Sequence, residues 1–208
     1  MKRELAWGAS VIERLLPHRR PFLMVDTVDA YERGPKPALW ASRYITANEH
    51  VFEGHFPHVA LWPGVYTIEG LGQATNVLAL IDLIETGMTA RGLDPERLLA
   101  GLGNLELGAR MQPGYRPEVA ADLEQILGIA VPDPASRLGM TAHVDVKLLA
   151  PVFAGQRLDY FVRRTHMIDA LLRFEVVASV KGREVARGVM KSAAQGLERV
   201  RGDAEGAG

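Results

Sequence analysis

Gly54-His55-Phe56-Pro57-His58-Val59-Ala60-Leu61-Trp62-Pro63-Gly64-Val65, followed at short range by Glu69 and Gln73, sets an imidazole, a backbone turn, a helix start and a carboxylate in one stretch. Pro63 suits the first position of a helix, where a missing N–H costs nothing and the fixed φ is already helical. From Tyr66 to Glu85 no proline intervenes, and Ile68, Leu71, Val77, Leu78, Ala79, Leu80, Leu83 and Ile84 are apolar nearly all the way round. That pattern predicts a buried central helix rather than a surface one. Glu69 and Gln73, four residues apart, share one of its faces.

Working outward, the flanking segments read as strands. Ser10-Val11-Ile12-Glu13 has the form of a capping box and predicts a short helix ending near Leu16, before Pro17. Phe22–Tyr31 and Ala38–Ile45 predict two strands joined by the turn Arg33-Gly34-Pro35-Lys36-Pro37. Beyond residue 139 the period returns to two, with strands over Thr141–Leu149, Arg157–Arg164, Leu171–Lys181 and Glu184–Ala194. A hairpin, a long helix and an antiparallel meander make an α+β protein, with a curved sheet around one helix.

Residues 87–138 interrupt this plan. Asp94–Ala100 reads as a helical turn, Asn104–Met111 as a strand and Pro117–Leu127 as a helix, while Val131–Ala135 carries two prolines. The strand that follows the central helix is expected at Val144–Leu149, which makes the intervening stretch an insertion of about forty residues within a single domain spanning 1–200. Long insertions serve as lids or binding loops; a surface decoration or an oligomer contact is the alternative. The tail 201–208 is small and polar and is expected to be disordered.

The 208 residues carry 24 Lys and Arg against 25 Asp and Glu, a net charge of −1, so the chain as a whole is no polyanion binder. Charge is uneven, however: Thr141–Val200 holds ten basic and six acidic residues. Such a surface can meet an acidic partner. Cysteine is absent, which excludes a disulfide framework, a thiol nucleophile and a thiolate metal site and suits a cytoplasmic protein. No apolar run follows the basic start Met1-Lys2-Arg3, so no signal peptide is expected. His58, three residues after His55, has Pro57 between and no third ligand in view. No metal and no cofactor are expected.

The spacing Gly-His-Phe-Pro, five residues, Pro-Gly-Val, three residues, Glu, three residues, Gln resembles the signature of the hotdog-fold 3-hydroxyacyl-acyl carrier protein dehydratases. Leu16-Pro17-His18-Arg19-Arg20-Pro21-Phe22-Leu23-Met24-Val25-Asp26 is similar to that family's opening motif, at the expected distance upstream. The resemblance covers residues 11–86 well and 139–193 more loosely. It implies a homodimer acting on an acyl carrier protein loaded with a 3-hydroxyacyl group, with His55 of one chain facing Glu69 of the other across a shared acyl tunnel.

Dehydration of such a thioester needs a base for the proton beside the carbonyl, an acid for the departing hydroxyl and stabilisation of the thioester oxygen. An imidazole can be neutral near working pH, so His55 is the candidate base. Glu69 is the candidate acid, since apolar surroundings favour a neutral carboxyl. The N–H groups of Gly64 and Val65, at the helix start, are candidates for the thioester oxygen. Gln73 is expected in support and Phe56 and Trp62 along the tunnel. His18 is expected to be structural, leading into a strand.

His58, Ala60 and Trp62 depart from the family pattern, which has Gly, Pro and a smaller apolar residue there. With the insertion, this points to a specialised substrate. Arg163, Arg164, Lys181, Arg183, Arg187 and Lys191 are candidate contacts for an acidic carrier. A bifunctional dehydratase-isomerase would carry Asp at Glu69. A hotdog thioesterase or a non-catalytic acyl-binding subunit are the remaining alternatives.

Overall fold

The computed structural model describes residues 2–130, 139–168 and 171–194. Seven strands form one antiparallel sheet: β1 (Lys2–Trp7), β2 (Thr27–Glu32), β3 (Ala38–Tyr44), β4 (Gly139–Leu148), β5 (Arg157–Ile168), β6 (Leu171–Val180) and β7 (Arg183–Ala194). They are ordered β1-β2-β3-β5-β6-β7-β4. Four helices accompany them: α1 (Ala9–Leu15), α2 (Gly64–Ala90), α3 (Glu96–Ala109) and α4 (Pro117–Ala130). The α+β arrangement of a sheet around one long helix therefore holds.

α2 forms where an all-round apolar surface was expected, and every residue from Gly70 to Leu78 is buried. Its 27 residues run about 40 Å at 1.5 Å per residue. Pro63 caps the helix one position earlier than expected. The inward faces of the strands meet α2 through Leu39, Val162, Phe174, Val176 and Met190, all buried, as alternation along a strand requires.

Glycines set the closest approaches. A Cβ on Gly70 would overlap the Tyr160 hydroxyl, and one on Gly188 would overlap the backbone carbonyl of Asp145 on β4. Backbone cannot swing aside as a side chain can. Gly188→Ala is therefore expected to cost about 3 kcal/mol and lower Tm by about 6–12 °C in thermal unfolding.

Three expectations are corrected. Ser10 does not cap α1: Gly8 holds the cap position and no side chain bonds there. The Gly8 N–H instead donates to Glu106 Oε2 of α3 at 2.9 Å, a tertiary contact that local pattern cannot show. Asn104–Met111 is not a strand: Asn104–Ala109 completes α3 and Arg110 and Met111 turn out of it, because Leu98, Leu99 and Leu102 share one buried helical face and the Asn104 amide ties down the Arg116 backbone. Lys2–Trp7, for which no strand was expected, pairs with β2 as an edge strand. The two-proline stretch Val131–Ala135 and the tail 201–208 lie outside the described residues.

α3 and α4 pack on each other and on α1, β1 and the far half of α2. A chain of ion pairs fastens them. Glu96 of α3 takes Arg3 and Arg33, and Arg33 also takes the buried Glu85 of α2 at 2.6 Å, which accepts from the Tyr31 hydroxyl as well. The Arg33 guanidinium holds the Glu96 carboxyl below the usual carboxylate range. Arg14–Glu124 and Arg97–Asp122 complete the set. Among the described residues no helix is long and apolar enough to cross a membrane.

Candidate active site

A short 3-10 turn, His50–Glu53, delivers the chain to Gly54 and His55. The loop that follows is stitched to the segment after β4: Trp62 N–H donates to Val152 O at 2.8 Å, and Leu61 bridges Phe153. His55 Nδ1 lies 2.9 Å from the Leu61 carbonyl oxygen. A carbonyl only accepts, so Nδ1 carries the hydrogen and Nε2 keeps its lone pair. Phe56 stacks on the His55 ring with centroids 4.5 Å apart and is otherwise exposed.

His55, Leu61, Trp62, Gly64, Thr67, Leu148, Val152 and Val185 line a cleft of about 450 Å³. Phe56, expected along a tunnel, is not part of this wall. Trp62 is, but it is also a core residue: 3 % exposed, it packs edge-on to Phe52 and Tyr66 and under the Arg43 guanidinium. The Tyr66 and Thr67 N–H groups take Pro63 O. The first N–H groups of α2, those of Gly64 and Val65, precede any intrahelical acceptor and are free to point outward. Gly64 has Leu148 packed directly over it, in the space a Cβ would need.

Glu69 lies elsewhere. Its Oε1 accepts from Gln73 Nε2 at 2.8 Å. Gln73, 1 % exposed, also donates to Phe22 O at 2.7 Å and accepts from Met24 N–H at 2.7 Å. One amide thus couples the opening motif to the acidic residue, bonding two backbone groups about fifty residues away and one carboxylate a turn away. The Glu69 side chain is 31 % exposed, so the apolar seclusion expected for it is absent in the single chain. His18, expected to be structural at a strand entry, has its Nε2 3.8 Å from Glu69 Oε1. The opening motif itself was the only signal for it, because the contact spans fifty residues.

His55 and Glu69 make no hydrogen bond or ion pair with each other among the described residues. The helix geometry explains this. At 100° per residue Glu69 points about 160° away from Thr67 and about 140° away from Gly64, both of which face the His55 cleft. The two candidate side chains of one chain lie toward opposite sides of α2.

A FabA-like domain model matches residues 16–98. The 3-hydroxyacyl-[acyl-carrier-protein] dehydratase FabZ of Bacillus velezensis is 34 % identical over 117 residues, 56 % of this chain and 77 % of that protein. The protein of the same description from Aeromonas salmonicida is 48 % identical over 73 residues, 35 % of this chain and 48 % of its own; across it and the Neisseria meningitidis relatives the chain spans about half their length. Among solved structures, the dehydratase heterocomplex ApeI:P from Xenorhabdus doucetiae aligns with a TM-score of 0.52 over 92 % of each chain at 16 % identity, which is a likeness of fold. Helix, sheet and the two motifs around them define a hotdog-fold protein of the dehydratase class. The chain belongs to the 3-hydroxyacyl-[acyl-carrier-protein] dehydratase family, of FabZ type.

Proposed function

We propose that this chain dehydrates (3R)-hydroxyacyl thioesters carried on an acyl carrier protein to trans-2-enoyl thioesters, at a site completed by a second copy of itself. The observation that carries this reading is the tautomer of His55, set by Leu61 O, in a cleft that Gly64, the first residue of α2, also lines. Nε2 takes the C2 proton while the Gly64 and Val65 N–H groups hold the thioester oxygen. The C3–O bond breaks, and the hydroxyl leaves as water with a proton from the Glu69 carboxyl. Gln73 fixes one Glu69 oxygen and leaves the other for the substrate.

The second copy follows from the opposed faces of α2. β4 is an edge strand with Met140, Val144 and Leu148 about half exposed, and Val65 of α2 is more so. Edge-to-edge pairing through β4 removes that liability. It also sets the partner's Glu69 face beside the cleft that Leu148 lines. Mixing the two single variants His55→Ala and Glu69→Gln, each inactive alone, is expected to restore about a quarter of wild-type turnover after subunit exchange, through mixed dimers with one intact site. No recovery, with mixed dimers demonstrated, would overturn the shared site.

Of the candidate carrier contacts, Arg163 is partly covered and held by Glu32, and Arg164 is mostly covered on Asp82, which makes both weaker candidates. Lys181, Arg183, Lys191 and Arg187, which meets Glu184 but stays largely exposed, stay in the proposal, joined by Lys147, the exposed cross-strand partner of Arg187. The pair α3–α4 is proposed as a brace rather than a lid, because it is fastened to α1, β1 and the far half of α2.

A further inference from the structure

His55 is held at two places, and they belong to opposite ends of one loop. Its N–H donates to Val51 O at 2.9 Å, within the 3-10 turn that Glu49 opens. Its Nδ1 meets Leu61 O at 2.9 Å, next to Trp62. Backbone bonds fasten each end separately: Phe52 N–H to Glu49 O at the first, Trp62 N–H to Val152 O at the second. The ring therefore keeps its bond to Leu61 only while the two ends keep their spacing.

One side chain touches both ends. Arg43, near the end of β3, is 9 % exposed. Its Nη2 donates to Glu49 Oε1 at 2.6 Å, and its guanidinium carbon lies 5.9 Å from the centre of the Trp62 ring. From behind, Nη1 donates to Asp26 Oδ1 at 2.7 Å. Asp26 is itself tied to β3 on either side of Arg43: its N–H donates to Ser42 O, and its Oδ2 accepts from Tyr44 N–H. The fork thus has its base on the sheet and reaches forward to the loop. Phe52, edge-on to Trp62, also crosses the gap, and it bears on the ring that the guanidinium covers.

Stability does not account for this arrangement. Replacing a buried ion pair by apolar groups of similar volume is often neutral or stabilising. Arg43 Nε, buried and without a partner among the described residues, adds the cost of an unsatisfied donor. What the group supplies is geometry. A planar fork bonds two carboxylates in fixed directions while its face rests on an aromatic ring, which an ammonium cannot do.

We infer that Arg43 is a positioning residue for His55: it joins Glu49 to Trp62, holds the loop ends at the spacing in which Nδ1 reaches Leu61 O, and so keeps the lone pair on Nε2. The inference rests on the dehydratase reading only for what His55 does with that lone pair. Misplacing a catalytic group by about 1 Å can cost about 10²-fold in rate.

The test compares Arg43→Gln and Arg43→Lys with a control, Arg33→Gln, which breaks the ion pair on Glu85 in the far half of α2. Nitrogen-15 spectra of the histidine rings at about pH 8.5, where free imidazole is neutral, read the tautomer, with the His55 signals assigned by their loss in His55→Ala. In the wild type Nδ1 is expected to carry the proton. In Arg43→Gln the two tautomers should mix, and kcat for dehydration should fall about 10–100-fold with KM little changed. Arg43→Lys, which keeps the charge and loses the fork, should fall between. Arg33→Gln should lower Tm and leave ring signals and kcat as in the wild type. A lower Tm in Arg43→Gln with tautomer and kcat untouched would overturn the inference, as would ring signals that move equally in Arg33→Gln. If Arg43→Gln does not fold, Glu49→Gln, which removes the partner of one arm, is read by the same criteria. A wild type without dehydration, with the tautomer shift intact in the variants, would end the dehydratase reading and leave the positioning role standing.

Discussion

His55→Ala is expected to lower the dehydration rate by about 10²–10⁴-fold, the usual worth of a positioned general base. The loss should fall on kcat rather than KM, since the imidazole does its work while the C2 proton moves. The fold should survive. The loop holding His55 is fixed by its own backbone, through His55 N–H to Val51 O, Trp62 N–H to Val152 O and the Leu61–Phe153 bridge. What the substitution removes is one ring, its hydrogen bond to Leu61 O and its stacking on an exposed Phe56. Single-turnover kinetics on a carrier-bound 3-hydroxyacyl thioester, with circular dichroism as the check on folding, separate these effects. A variant that keeps wild-type turnover would remove His55 from the chemistry.

Glu69→Gln is expected to cost a similar factor, again about 10²–10⁴-fold, for a different reason. The amide has nearly the same shape and can still meet Gln73, but it has no carboxyl proton to give to the departing hydroxyl. Loss of water should slow while the enolising step persists. Exchange of the C2 hydrogen with deuterated solvent should therefore outlast dehydration in Glu69→Gln and vanish in His55→Ala. Exchange lost equally in both would place both residues in one step and contradict the division of roles.

The boundary between what was legible and what was not follows the range of the interactions. α2 was legible because its apolar residues run all round the helix and the need to bury them is local to one segment. β5, β6 and β7 were legible because period two and turn residues such as Lys181 and Gly182 lie within a few positions of each other; both take positive φ there. α4 was read nearly to its ends. The α3 segment was misread because glycines at 101, 103 and 108 dilute its helical signal, and what fixes it is distant: Gly8, Arg3 and Arg33 bind its acidic residues. β1 was missed because its pattern is polar, and its order comes from pairing with β2.

At the site, the motif spacing alone named the candidates: His55, Gly64, Val65, Glu69 and Gln73 lie within twenty positions and take their setting from one loop and one helix start. The sequence likewise determined that a single long helix must be buried, because a helix apolar on every side needs cover in water, and the period-two segments on either side of it supply that cover as a sheet. The tertiary structure decided the rest. It set His18 beside Glu69 and threaded Gln73 between two backbone groups fifty residues away. It turned His55 and Glu69 to opposite sides of α2 and left β4 as an open edge. Each of these depends on contacts between segments far apart in the chain, whose geometry is fixed only when the whole sheet closes around the helix.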